Sequence, residues 1–181
     1  QSEQGSDFQI SVNMSPVQFI REDLSHSHWI EQMREIGLSG SSIVIEITEG
    51  LLMSKETVIP DTLLKFRDAG IQVAIDDFGT GYSALSYLNK FDIDYLKIDQ
   101  SFINNLAPDA TDFALCEAIV VMAHKLGLKV IAEGVETEQQ HDLLKQIGCD
   151  YAQGYLYSRP VPAADFDKLL VQYLTTGSGG L

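Results

Sequence analysis

Short runs rich in Val and Ile recur along the chain, and each gives way to a stretch with helical spacing. FQISVNM (8–14) alternates apolar and polar residues. SSIVIEIT (41–48), IQVAID (71–76), DYLKID (94–99) and LKVIAEG (128–134) are nearly continuous apolar runs, and DYAQGYLYS (150–158) is a weaker sixth. Runs of this length and composition predict strands. Helices are predicted between them. DTLLKFRDAG ends at Gly70, with Pro60 tolerable in its first turn. DFALCEAIVVMAHKLG sets Phe113, Cys116, Ile119, Val120, Ala123 and Leu126 along one stripe and stops at Gly127. Thr137 and Gln140 have the spacing of a capping box ahead of Leu143, Leu144 and Ile147, and Gly148 closes that helix. A last helix is expected from about Ala163 to Leu174. The domain would then occupy 1–174, with TTGSGGL (175–181) as a flexible tail.

Apolar strands alternating with amphipathic helices imply an α/β fold with a parallel sheet covered by helices. Two architectures satisfy this: the open doubly wound sheet and the (β/α)₈ barrel. No GxGxxG or P-loop opens the chain, which weakens the first. Polar residues separate the two further. Asn13 closes the first strand and Glu46 the second, with Glu49 just beyond. Asp76 and Asp77 close the third, Lys97 and Asp99 the fourth, Glu133 and Glu136 the fifth, and Gln153 lies in the sixth. All sit at C-terminal strand ends, which a barrel gathers at one mouth and an open sheet spreads along an edge. The barrel is the better reading.

Composition narrows the function. The 181-residue chain carries a formal net charge of −14, which disfavours a nucleic-acid polymer or an anionic membrane as partner. No apolar run approaches the roughly 18 residues of a membrane span. Cys116 and Cys149 stand apart from any metal or redox motif, which suggests structural thiols and a reducing, cytoplasmic setting, although a parent protein could be membrane-anchored.

Adjacent strand residues point to opposite faces, so Asp76 and Asp77 are an odd pair. At a strand's last residue the chain leaves the pleat, and Asp77 can swing back beside Asp76. Two such charges about 4 Å apart repel by roughly 4 kcal/mol at an effective dielectric near 20. With Glu46 and Glu133 added, either some acids hold protons or divalent cations fill the gap. Carboxylates plus an amide oxygen, without His or Cys, suit Mg²⁺ or Mn²⁺, and two such ions would suit in-line phosphoryl displacement. Taken singly, each acid could instead cap the helix that follows, and Asp99 ahead of QSF is read that way. Asn13 alone could be a turn residue or a cap. Lys97 lies between Leu96 and Ile98 and points opposite to them, a costly placement unless the ammonium is paired. The same residues would also serve proton abstraction beside a Mg²⁺-bound enolate, as in enolase-like barrels.

Six segments in order resemble the EAL-domain cyclic-di-GMP phosphodiesterases. They are SVNMSPVQF (11–19), IEITEGLLM (45–53), IDDFGTGYSALSYL (75–88), LKIDQSFI (96–103), VIAEGVET (130–137) and YAQGYLYSRP (151–160). The resemblance implies a modified (β/α)₈ (TIM) barrel that hydrolyses cyclic-di-GMP to linear pGpG with two Mg²⁺ or Mn²⁺ ions. By that resemblance Asn13, Glu46 and Asp76 match ligands of the first metal. Asp76 bridges to the second, which Asp77 also serves. Lys97 matches the lysine at the attacking water, and Glu133 the glutamate that acts as general base or holds the second metal's water. Gln153 matches a glutamine near waters and metals. Glu49 matches the acid bracing the 78–88 loop, which in the family leads to a homodimer interface, and Glu136 matches a further family glutamate. No substrate-binding residue is assigned. The family's Glu-Ala-Leu motif lies upstream of SVN and is absent from this chain, so about six of eight strands and one metal ligand fewer are expected. An opened barrel exposes two sheet edges, and association is expected. Upstream signalling domains in the parent protein are implied. The alternative is a non-catalytic module that senses cyclic-di-GMP.

Overall fold

The computed structural model describes residues 8–20, 26–53, 58–81, 88 and 90–176. The described strands are β1 (Ile10–Asn13), β2 (Ile43–Thr48), β3 (Gln72–Phe78), β4 (Tyr95–Ile98), β5 (Lys129–Ala132) and β6 (Tyr151–Ala152). They form one sheet in the order β1-β2-β3-β4-β5-β6, with every neighbouring pair parallel. A doubly wound sheet reverses its order at a switch point. Here each crossover moves one place in the same direction, which is the winding of a barrel wall.

The helices are α1 (Pro16–Ile20), α2 (His26–Glu35), α3 (Glu49–Leu52), α4 (Val58–Asp68), α5 (Gln100–Asn104), α6 (Thr111–Lys125), α7 (Glu138–Gln146) and α8 (Ala163–Thr176). The sequence pattern had marked only α4, α6, α7 and α8. HSHWIEQMRE in α2 carries Trp29, Ile30 and Met33 at helical spacing, a short stripe that went unmarked, and α1, α3 and α5 are four or five residues long, too short to show a period. The last helix runs through Thr175 and Thr176, into the stretch expected as tail; residues 177–181 lie outside those described. The predicted caps are present. Gly70, Gly127 and Gly148 have φ of 75°, 79° and 79°, the left-handed conformation that ends a helix cheaply only with glycine.

The main core lies between sheet and helices. Ile45, Ile47, Val73, Ile75, Leu96, Ile98 and Val130 meet Phe66, Ile103, Val120 and Leu144 there, all at most 1% exposed. Because the side-chain period is two, the alternate residues line the inner face. Val44, Ala74 and Tyr95, with Ile131 against them, form a thin apolar layer on that face. Two residues further along each strand come Glu46, Asp76, Lys97 and Glu133. The runs were read as nearly continuous apolar strands with polar residues at their ends; they are apolar outward, and the inner face turns polar above this layer.

Candidate active site

Three strands deliver carboxylates to one ammonium. Lys97 Nζ lies 2.7 Å from Glu46 on β2, 2.9 Å from Asp76 on β3 and 2.7 Å from Glu133 just past β5. Lys97 and Glu46 are buried, at 2% and 5% exposure. Burial opposes the Lys97 charge, but hydrogen bonds to Glu133, Glu46 and Asp76 outweigh it and hold the pKa above the ordinary lysine value. Glu133 is pushed up from the usual carboxylate range, first by burial and then by Asp76 and Glu46, with Lys97 pulling the other way. The crowding of acids anticipated from the sequence is thus partly relieved from inside the site, because Lys97 is itself a counter-ion.

Asp77 joins through a backbone device. The β3–β4 register shifts between Ile75 and Phe78, and Asp77 has φ of 55°, a left-handed residue in a strand. A bulge of this kind re-aims a side chain, so consecutive residues need not point apart. Thr80 closes the turn by donating from its amide and hydroxyl to the Asp77 carbonyl. Oxygens of Asp76, Asp77 and Glu133 lie within 4.8 Å of one another. Burial raises the Asp77 pKa, with Asp76 and Asp99 adding to the rise. Asp99 itself caps α5, its Oδ1 accepting from the Ser101 amide at 2.9 Å. Counting Glu46, four carboxylates face one lysine, which leaves three negative charges when all are ionised. A hard, oxygen-seeking divalent cation fits that donor set.

Of the other expected residues, one bonds directly to an acid of this centre. Gln153 Nε2 donates to Glu133 Oε1 at 2.6 Å. Asn13 is the register partner of Glu46, on the same inner face, and is exposed. Glu49 is buried at the start of α3, and a Cβ placed on Gly81 would lie 3.3 Å from its Oε2. That seats Glu49 against the Gly79–Gly81 turn; residues 82–87 and 89 of the expected dimer loop lie outside those described. Glu136 is exposed, and its amide donates to Gln140 Oε1.

A cleft of about 720 Å³ opens beside Gln153 and Glu136, with Gln100, Tyr155, Tyr157 and Arg159 in its walls. The Arg159 guanidinium lies 4.4 Å from the centre of the Tyr155 ring. None of these four was singled out from sequence. The available signal was two aromatics and an arginine within GYLYSRP, a combination suited to stacking on a planar group.

Similarity to known proteins follows this geometry. A family model for the EAL domain matches residues 1–160. Cyclic di-GMP phosphodiesterase NbdA of Pseudomonas aeruginosa is 43% identical over 78% of this chain, and bifunctional diguanylate cyclase/cyclic di-GMP phosphodiesterase MucR of the same organism is 42% identical over 87%. The chain spans only 18% and 23% of those two proteins. The PaMucR phosphodiesterase in complex with c-di-GMP superposes with a TM-score of 0.83 at 39% identity, covering 91% of this chain and 66% of that one. BlrP1 of Klebsiella pneumoniae, in a manganese and cyclic-di-GMP complex, gives 0.77 at 32% identity over 85% of this chain and 39% of that one. With a family match running from the first strand past the sixth, and inner-face acids where that family's segments fall, this chain belongs to the EAL-domain family.

Proposed function

We propose that this chain carries the site of a metal-dependent phosphodiesterase that hydrolyses cyclic-di-GMP to linear pGpG. The observation that carries the reading is the Lys97 ammonium held at the inner-face ends of three strands by Glu46, Asp76 and Glu133. Asn13, Glu46 and Asp76 would hold a first Mg²⁺ or Mn²⁺, and Asp76 with Asp77 a second. Such ions would neutralise phosphate charge and lower the pKa of a bound water, which favours the hydroxide nucleophile. The chain's own residues supply the rest. Lys97 has its three N–H groups on Glu46, Asp76 and Glu133; where Glu46 and Asp76 turn to bound cations, a released N–H would donate to the attacking water and offset charge gathering on the phosphate. Glu133, whose pKa burial raises above the usual carboxylate range, is placed to take a proton from that water, and Gln153 holds the Glu133 carboxylate in orientation. The cleft beside Gln153 offers Tyr155 and Arg159 for stacking on a guanine base.

Incubating the chain with Mn²⁺ and cyclic-di-GMP and separating products by chromatography tests the reading. Appearance of pGpG, and its loss in Asp76→Ala, supports it. Saturable binding without product, both here and in a longer polypeptide that carries the upstream Glu-Ala-Leu segment, would make the domain a sensor instead.

The same reading includes a homodimer. The turn at Gly79 rests on Phe102 and Ile119, a Cβ there lying 3.0 Å and 3.9 Å from them, and one turn before Ile119 α6 exposes Leu115. Upstream signalling domains in the whole protein would suit the small share of its relatives that this chain spans. No helix among the described residues is long and apolar enough to cross a membrane. The free, buried Cys116 and Cys149 suit a cytoplasmic setting.

A further inference from the structure

Two neighbouring side chains on α7 reach two segments that line the cleft. Gln140 holds one segment: its Oε1 accepts from the Glu136 and Thr137 amides at 2.8 and 3.0 Å, and its Nε2 donates to the Ile103 carbonyl at 2.9 Å. This secures the loop carrying Gly134 and Glu136 to α5, whose first residue is Gln100 in the same cleft. His141 reaches the other segment. Its Nδ1 lies 2.9 Å from the Tyr157 hydroxyl, and the two rings meet edge-on with centres 6.1 Å apart.

Tyr157 belongs to a tight turn. The Leu156 amide donates to the Val135 carbonyl, the Tyr157 and Ser158 amides donate to the Gly154 carbonyl, and the Val135 amide donates to the Gln153 carbonyl. Gly154 lies so close to Val135 that a Cβ on it would be 2.1 Å from the Val135 oxygen. A push on Tyr157 therefore reaches Gln153, and Gln153 bonds Glu133 at 2.6 Å. The ordinary role of a half-buried histidine is to satisfy a neighbour. Here that neighbour is a side chain of the cleft wall.

We propose that His141 is a positioning residue, whose hydrogen bond to Tyr157 fixes the Gln153–Ser158 wall of the cleft for a cyclic dinucleotide. The ligand part rests on the function proposed above; the latch itself does not. His141→Leu removes the bond, Tyr157→Phe removes only the hydroxyl, and His141→Asn keeps a polar atom at the same distance from the backbone. Amide hydrogen exchange reads the latch without any ligand. The Leu156 and Tyr157 amides should exchange about fivefold faster in His141→Leu and in Tyr157→Phe, the worth of one neutral hydrogen bond. The double variant should be no faster than Tyr157→Phe alone, His141→Asn should recover most of the protection, and Leu143 on α7 should be unchanged.

In Mn²⁺ assays the KM for cyclic-di-GMP should rise by a similar factor, with kcat changing less and His141→Asn again recovering the difference. Unchanged exchange in both single variants, or additive effects in the double variant, overturns the latch even where hydrolysis is intact. Faster exchange with an unmoved KM overturns its role in the cleft. If the parent chain neither binds nor cleaves cyclic-di-GMP, the proposed function falls and the exchange data alone decide the latch. Should His141→Leu not fold, Tyr157→Phe carries the same comparison.

Discussion

The side chain of Lys97 is 3% exposed and has three carboxylates within 2.9 Å, so it is where a single change has the most to disturb. Lys97→Met keeps the length and apolar stem but removes the charge. Glu46, Asp76 and Glu133 are then left crowded without their internal counter-ion. Removing one partner from a buried ionic network typically costs about 3–5 kcal/mol, far more than a surface pair contributes. Urea unfolding in the presence of a chelator should show a loss of that order. Added Mn²⁺ should restore part of it, because a divalent ion supplies the missing positive charge at the same carboxylates. Equal midpoints for parent and variant in chelator would mean that the acids do not depend on Lys97.

At the scale of an element, α7 shows how a local signal and a distant one differ. Its capping box was readable because Thr137 and Gln140 are three residues apart, and both reciprocal bonds form. The bond from Gln140 to the Ile103 carbonyl joins residues 37 apart and leaves no trace in the local pattern. Gln140→Ala should therefore cost more than an ordinary cap. It loses the bonds to the Glu136 and Thr137 amides and the bond that ties α7 to the Ile103 carbonyl, which keeps its bond from the Leu106 amide, for a total of about 2–3 kcal/mol by thermal unfolding. Gln140→Glu keeps the acceptor but not the donor and should fall between parent and Ala; a loss no larger than about 1 kcal/mol in Gln140→Ala would remove Ile103 from the account.

The same contrast governs what was legible in the site. Strand ends carrying acids could be read because polarity changes abruptly there, and Lys97 stood out between Leu96 and Ile98. Its three partners could not be read, since each comes from a different strand and only the sheet register brings them together. The left-handed Asp77 is a bulge set by pairing with β4, so sequence could suggest that it turns but not how. The cleft residues were missed because Tyr155, Tyr157 and Arg159 lie in a turn with no period, where burial decides which side chains face inward.

For the whole molecule, two features pull against each other. Among the described residues the sheet does not close: β1 and β6 are its edges, and on β1 Ile10 and Val12 are 52% and 37% exposed. An edge with unpaired backbone groups and apolar side chains favours pairing with a second copy. A net charge of −14 opposes it. Which effect wins depends on ionic strength, since the screening length falls from about 30 Å at 0.01 M salt to about 8 Å at 0.15 M. At low salt the repulsion spans a whole subunit and the chain should sediment mainly as a monomer. Near physiological salt the charges are felt only locally, and the apolar edge should draw chains into larger species. Ile10→Lys adds a charge at the edge, the usual protection of an exposed strand, and should hold the chain monomeric at both salts. If the mass measured by sedimentation does not depend on salt, or Ile10→Lys leaves association unchanged, the contact lies elsewhere, and the exposed Leu115 of α6 becomes the residue to change next.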